Sequence, residues 1–383
     1  MNLWTIAFAM FVIGTTSLSV LGMAGEITRA FGVPPGGAGW LTTLFAGTFA
    51  VAAPAIQLLG RGRRRPLILA GLALLAAGLA WGSLADRFSH LLLSRACAAI
   101  GGALVAPAGA ALAIALVPEE RRGRALATVF AGFTLATVGG VPLATWLAQG
   151  LGWRGAMGAI AGLAVLCLLA AAIAIRDPEE PPSGGGRAAI AHLPFRPLAA
   201  MLATTGAVLA AQFTVYAVMA AVLVERFALP EPMLPAAMLA FGIAGVGGNA
   251  AAGAAADRVG AGAVVWAGMG GLGLMLAALA FDLGPLPAAA ALAGCAFAGT
   301  LFTAPQQSRL AGLVPPPAHS LVLALNSSAS YLGIGLGAAL ASLLFGAAGP
   351  AALPIAALAV LALAALANRA APAHPKPSWS PDR

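Results

Sequence analysis

Twelve apolar runs, each about twenty residues long and separated by short polar breaks, make up most of this chain. They lie near residues 3–24, 39–59, 66–85, 91–117, 125–147, 155–175, 198–222, 234–256, 262–281, 288–308, 319–345 and 351–367. In hydrocarbon every backbone N–H and C=O must be satisfied within its own segment, so runs of this length read as bilayer-crossing helices. Only 8% of the residues are charged and 61% are hydrophobic, against about 25% charged in soluble domains. That balance excludes a water-soluble enzyme of one or two domains. The first run has no basic head and no small-residue cleavage site after it, so it reads as a retained span and not as a signal peptide.

The formal charge of +8 would suggest a nucleic-acid partner in a soluble protein, but here topology absorbs it. With the N-terminus in the cytoplasm, fifteen of the twenty Lys and Arg residues fall in inner loops or the tail. Arg29, Arg87, Arg154 and Arg226 fall outside, and Arg95 alone lies within a span. The positive-inside rule then sets both termini in the cytoplasm and implies no nucleic acid. The single lysine, Lys376, lies in the tail, so the hydrophobic body holds no lysine for a phosphate-binding Walker loop or a Schiff base. Cys97, Cys167 and Cys295 are scattered through apolar runs, and His90, His192, His319 and His374 lack metal-ligand spacing. No metal and no cofactor is expected.

The longest polar break, from Arg176 to Pro197, carries Asp-Pro-Glu-Glu-Pro-Pro followed by Ser-Gly-Gly-Gly and reads as a flexible linker. It predicts a six-span half at 1–175, a cytoplasmic linker at 176–197, a second six-span half at 198–367 and a cytoplasmic tail at 368–383. Features recur between the halves at nearly one offset. Gly62 and Gly260 stand 198 apart, as do Pro107 and Pro305. Leu116-Val117-Pro118 returns as Leu313-Val314-Pro315 at 197, and Glu26 and Glu225 differ by 199. A fixed offset at equivalent topological places is the mark of an internal duplication.

The residues of spans 4 and 5 carry a resemblance. They include Leu-Leu-Leu-Ser-Arg-Ala-Cys-Ala-Ala-Ile-Gly at 91–101, Val-Pro-Glu-Glu-Arg-Arg-Gly-Arg-Ala-Leu at 117–126, Gly-Val-Pro-Leu-Ala-Thr-Trp-Leu at 140–147 and Gly-Trp-Arg at 152–154. Ala-Pro-Gln-Gln-Ser-Arg-Leu at 304–310 and Leu-Asn-Ser-Ser-Ala-Ser-Tyr-Leu-Gly at 325–333 extend it. Together they resemble the drug:proton antiporter branch of the major facilitator superfamily, above all permeases of the arabinose-efflux and chloramphenicol-resistance type. The resemblance implies an all-α membrane fold of twelve transmembrane helices as two pseudo-symmetric six-helix bundles, with substrate bound between them near mid-membrane.

The family's loop motif after span 2, Gly-x-x-x-Asp-Arg-x-Gly-Arg-Arg, falls on Ala55 to Arg64. Its acidic position is Leu59 and its first arginine position Gly60, so only Gly62, Arg63 and Arg64 survive. The second copy, from Gly253, keeps Asp257, Arg258 and Gly260 and loses its trailing arginines to Ala261 and Gly262. Glycine permits the tight turn, and the charges would latch the halves in one of two states; equally, Arg63, Arg64 and Arg65 could serve only as topology anchors. Gly140 and Pro142, with Gly139 beside them, allow span 5 to pack closely and bend, which suits gating.

Polar residues inside the spans supply the candidate cavity. Arg95 is costly in lipid, so a role in substrate or proton handling is its default reading, with snorkelling to the interface as the alternative. Gln212 and Tyr216 share a face of span 7, Asn326 and Ser330 a face of span 11, and Thr134 and Thr137 a face of span 5. Thr16, Ser17, Asn249, Thr303 and Tyr331 complete the expected substrate-binding set. All twelve acids fall at span ends, in loops or in the tail, and Ser17 follows Gly14-Thr15-Thr16 where related permeases often carry Glu. Proton antiport would then run through Glu26, Asp257 or a route linked to Arg95, unless the protein is a facilitator. The expectation is a non-enzymatic, monomeric, proton-coupled exporter of a small apolar or weakly polar molecule in a bacterial inner membrane. Ala-, Gly- and Arg-rich usage fits a GC-rich bacterial genome. A sugar or nutrient importer of the same fold and a non-transporting sensor or assembly protein stay open as alternatives.

Overall fold

The computed structural model describes residues 2–59, 64–118, 122–176, 194–314 and 318–371, all helix, turn or coil with no strand among them. Gly62, Arg63 and the linker from 177 to 193 lie outside these residues, as does the side chain of Thr137.

The first span is 30 residues long and broken in the middle. Helix α1 (Asn2–Leu18) stops at Ser19 and α2 (Val20–Phe31) resumes beyond it. Then come α3 (Gly39–Leu59), α4 (Arg64–Ser83), α5 (Phe88–Ala115) and α6 (Arg122–Leu135). A π-helical turn, Ala136–Gly140, joins α6 to α7 (Val141–Ala174). Its cause is Pro142, whose ring crowds the carbonyl four residues back; the ladder slips by one and the Val141 N–H reaches the Ala136 carbonyl instead.

The apolar stretch Thr128–Ala174 counts 47 residues. As one straight helix it would measure roughly 70 Å at 1.5 Å per residue, more than twice the ~30 Å hydrocarbon core. Gly152, at φ 71 and ψ 164, divides it in a backbone region that essentially only glycine enters. Among the described residues, the eleven apolar segments long enough to cross a membrane therefore contain twelve crossings.

In the second half, α8 (Phe195–Tyr216) breaks at Ala217 and Val218, then continues as Met219–Ala221 and a π-turn, Val222–Arg226. Helices α9 (Leu234–Val259), α10 (Ala261–Ala278), α11 (Pro285–Gly312), α12 (His319–Ala348) and α13 (Ala352–Arg369) complete the fold. Gly260, at φ +85, makes the tight turn from α9 into α10.

The described helices fall into two compact units, Met1–Ser183 with Pro232–Leu239, and Gly184–Glu231 with Ala240–Arg383. Each is sealed by seams of small residues, as expected where lipid removes the hydrophobic drive between helices. In the first unit α1 lies along α6, where a Cβ on Gly132 would sit 1.8 Å from the Ala7 carbonyl oxygen. In the second, α8 lies along α12, with Gly333 against the Gly206 carbonyl and Gly337 against that of Ala210. Gly71 joins α4 to α5, and Gly268, 197 positions later, joins α10 to α11. The backbone repeats as well: α1 ends at Leu18 and α8 at Tyr216, 198 positions later. The duplication seen in the loops thus extends to helix breaks and packing, and the architecture is that of two pseudo-symmetric six-helix bundles.

Candidate functional site

The first polar cluster forms at the break in span 1. The helix ladder stops there and leaves the last carbonyls of α1 short of partners. Arg95, on α5 and 1% exposed, supplies them: Nη1 donates to the Thr16 carbonyl at 2.7 Å and Nη2 to that of Ser17 at 3.1 Å. Its guanidinium lies 4.6 Å from the centroid of the Phe45 ring. A cation at a helix C-terminus, stacked on an aromatic face, is stabilised by the helix dipole and by the ring quadrupole. Of the guanidinium nitrogens only Nε has no partner. Helix α5 starts at Phe88, so Arg95 stands seven residues inside it, fully buried rather than snorkelling to the interface.

The hydroxyls around this break serve mostly their own helices. Thr16 donates to the Val12 carbonyl at 2.7 Å. Thr15, by contrast, keeps a buried, unpartnered Oγ1, and Gly140 of the π-turn packs so closely on it that a Cβ would come within 2.1 Å. The hydroxyls of Thr134, Thr303 and Ser330 donate to the backbone carbonyls of Phe130, Gly299 and Asn326, each four residues back in its own helix.

The second cluster belongs to the other unit. Gln212 and Tyr216, one turn apart on α8, and Asn326 on α12 are all more than nine-tenths buried. Gln212 Nε2, the Tyr216 hydroxyl and Asn326 Oδ1 have no hydrogen-bond partner. An unsatisfied buried donor or acceptor costs about 1–3 kcal/mol, so Gln212 and Tyr216, one turn apart, invite a ligand together; Asn326 stands apart from them, because Gly333 and Gly337 pack on Gly206 and Ala210 and so place it about 20 Å nearer the start of α8, at 1.5 Å per residue. Tyr216 is held edge-on between Phe213 and Phe241, with centroids at 5.7 and 4.9 Å. Gly299 on α11 is what admits the Gln212 amide, since a Cβ there would lie 2.0 Å from Nε2. Asn249 is exposed on α9 and Tyr331 half-buried on α12.

The gating candidates are spread along the helix ends. Arg64 donates through Nη1 to the Ala111 carbonyl on α5, and Arg65 through Nη2 to Ala172 on α7 at 2.8 Å. Both complement the C-terminal ends of helices within their own unit. Asp257 and Arg258 are exposed in the last turn of α9, beside Gly260. Glu26 is half-buried in α2. Arg309, counted with the inner loops on the sequence, is instead buried in the last turn of α11; it donates to Gln306 Oε1 at 3.0 Å and Asn368 Oδ1 at 2.9 Å. Gln306 in turn donates to the Met201 carbonyl at 3.0 Å, which ties α8, α11 and α13 together. A cavity of about 520 Å³ between α8, α12 and α13 is lined from Leu202 to Val360 by apolar residues and glycine alone. It offers nothing polar with which to orient a substrate.

The sequence model of the Major Facilitator Superfamily matches residues 6–281. The chain belongs to the major facilitator superfamily. As a member it is a multi-pass membrane transporter. It is 33% identical over 267 residues to the inner membrane transport protein YdhP of Escherichia coli K12, covering 67% of this chain and 66% of that protein. It is 32% identical over 266 residues to a chloramphenicol resistance protein of Streptomyces lividans, covering 67% of each. A probable sugar efflux transporter of Haemophilus influenzae PittGG is 29% identical over 246 residues, covering 63% of this chain and 61% of that one. The chain thus spans about two thirds of the length of these relatives. The fold of the whole chain matches the crystal structure of a bacterial homolog of the human lysosomal transporter Spinster, with a TM-score of 0.74, 18% identity, and coverage of 99% and 98%.

Within this major facilitator fold, sequence reasoning named Arg95, Gln212, Tyr216 and Asn326 but missed Phe45, Gly299 and Asn368. Their partners lie far along the chain, and no local pattern announces them.

Proposed function

We propose that the protein is a secondary transporter that exports a small, uncharged, apolar or weakly polar molecule by alternating access. Its two six-helix halves, 1–175 and 198–367, would rock about a central site, joined by the linker at 176–197, with both termini and the tail at 368–383 in the cytoplasm of a bacterial inner membrane. The observation that carries this reading is the pair of neutral, unpartnered polar atoms on Gln212 and Tyr216, one turn apart on α8 and flanked by Phe213 and Phe241, with the buried, unpartnered Asn326 amide oxygen as a second neutral polar point further along the same unit. Such a site pairs with one or two hydroxyl, amide or carbonyl groups of a substrate and gains the rest of its affinity from apolar contact. A charged substrate would find no counter-charge in that set.

Among the described residues of the first unit, the buried side-chain polar atoms without a partner are Arg95 Nε, Thr15 Oγ1 and Thr42 Oγ1. Thr16, Ser17, Thr134, Thr137, Asn249, Thr303, Ser330 and Tyr331 would serve as lining. Apart from Glu26, midway along α2, the described carboxylates sit at helix ends or in connecting turns, so proton coupling would run through Glu26, Asp257 or a route linked to Arg95. Asp257, Arg258 and Gly260, with Gly62, Arg63, Arg64, Gly140 and Pro142, would set the gate. The names of the relatives, in which resistance and sugar efflux occur, support export.

The test is transport by the full chain in proteoliposomes, with chloramphenicol and arabinose as probes and a pH gradient imposed or collapsed. Gradient-dependent movement of either probe that Gln212→Leu and Asn326→Leu impair supports the reading. Movement of neither, with uptake of a charged solute instead, would overturn it. Loss of gradient dependence in Glu26→Gln or Asp257→Asn would identify the coupling group.

A further inference from the structure

A second pocket, about 320 Å³, opens where three helix ends of the second unit meet: the start of α10 and the last turns of α11 and α13. We propose that it binds a phosphate group, carried by an anionic phospholipid headgroup or by a soluble phosphate.

The polar side chains lining this pocket are Arg309, Asn368 and Arg369. Gly262 and Ala263 lie in the first turn of α10, whose initial N–H groups have no intrahelical partner, and its N-cap residue, Gly260, has no side chain to satisfy them. Asn368 is 2% exposed. Its Oδ1 accepts from Arg309 Nη1 at 2.9 Å, and because a guanidinium can only donate, that bond fixes which way the amide points. The Nδ2 group left over is buried and unpartnered, and Asn368 is one of the pocket's lining residues. Arg309, 5% exposed, is held in place by Gln306 and Asn368, and Arg369 stands exposed at the rim. Among the described residues no carboxylate lines the pocket.

A helix N-terminus, an amide donor and two guanidinium groups around one space suit a ligand with several acceptor oxygens and negative charge, which describes a phosphate. The placement favours a membrane source, because Trp266, 41% exposed, lies on the same wall. Aromatic rings and basic side chains at helix ends mark the headgroup level of a bilayer, where basic pockets between helices take up lipid phosphates.

The test uses the purified full chain in neutral detergent and follows thermal unfolding at constant ionic strength. The probes are dihexanoyl phosphatidylglycerol, dihexanoyl phosphatidylcholine and inorganic phosphate. Phosphatidylglycerol is expected to raise the midpoint saturably and more than phosphatidylcholine, with inorganic phosphate competing. Arg369→Gln, which alters only an exposed rim residue, and Asn368→Leu should each weaken apparent affinity about tenfold, or about 1.4 kcal/mol. Saturable stabilisation by inorganic phosphate alone would assign the site to a soluble phosphate. A midpoint moved by neither anion, equal effects of the two lipids, or full affinity in Arg369→Gln would overturn the proposal.

Discussion

Replacing Arg95 by methionine should destabilise the ligand-free protein, and the size of the effect follows from the contacts described. Two hydrogen bonds from a charged donor contribute about 1.5–3 kcal/mol each, and a desolvated cation over an aromatic ring about 2 kcal/mol. Against this stands the relief of no longer holding a guanidinium out of water, worth several kcal/mol. The net loss expected is about 3 kcal/mol. For a unit of this size each kcal/mol moves the unfolding midpoint by about 2–4 °C, so Arg95→Met should lower it by roughly 6–12 °C. Arg95→Lys keeps the charge but reaches one carbonyl, and should fall between the two. The assay is thermal unfolding of each purified variant in detergent without substrate. A midpoint unchanged or raised in Arg95→Met would refute the reasoning, because it would mean that the bonds to Thr16 and Ser17 do not hold the break and that Arg95 acts only on what is transported.

Gly132→Ala pushes a methyl group into the Ala7 carbonyl and should destabilise by about 1–3 kcal/mol, whereas Gly25→Ala, which meets nothing within 4 Å, should be neutral by the same unfolding measurement. Gln212→Leu and Asn326→Leu should leave the midpoint unchanged or higher, since each removes an unsatisfied polar group, while raising the transport KM about tenfold. Gly152→Ala places a side chain at φ 71 and should cost about 1–3 kcal/mol, read as a lower midpoint and reduced membrane levels of the full chain.

Crossings were legible in the sequence because hydrocarbon imposes a length and a polarity on every span. The kink before Pro142 was legible too, since proline acts on its own helix. Ser19 was not. It is neither glycine nor proline, and it sits at φ −55 and ψ −33, ordinary helical values; the ladder breaks beside it where Arg95, 76 positions further along, takes the carbonyls. Arg309 was misplaced for a similar reason: near a helix end, charge alone suggests a loop, and only Gln306 and Asn368 show it to be interior. The threonine and serine hydroxyls were easier to read, because the carbonyl four residues back is always within reach. The Gln212 amide depends on a missing side chain at Gly299, and an empty space on another helix leaves no periodic trace.

The two halves crease their first span at equivalent places but fasten it with different chemistry. Near the first crease a cation grips the exposed carbonyls; at the matching site in the second half, position 293 is alanine and the neighbouring tyrosine is instead wedged between two phenylalanine rings. Symmetry of shape has therefore outlived symmetry of chemistry. One joint can be retuned by altering a charge and the other by trimming an aromatic ring, so twin components of this machine can be adjusted one at a time.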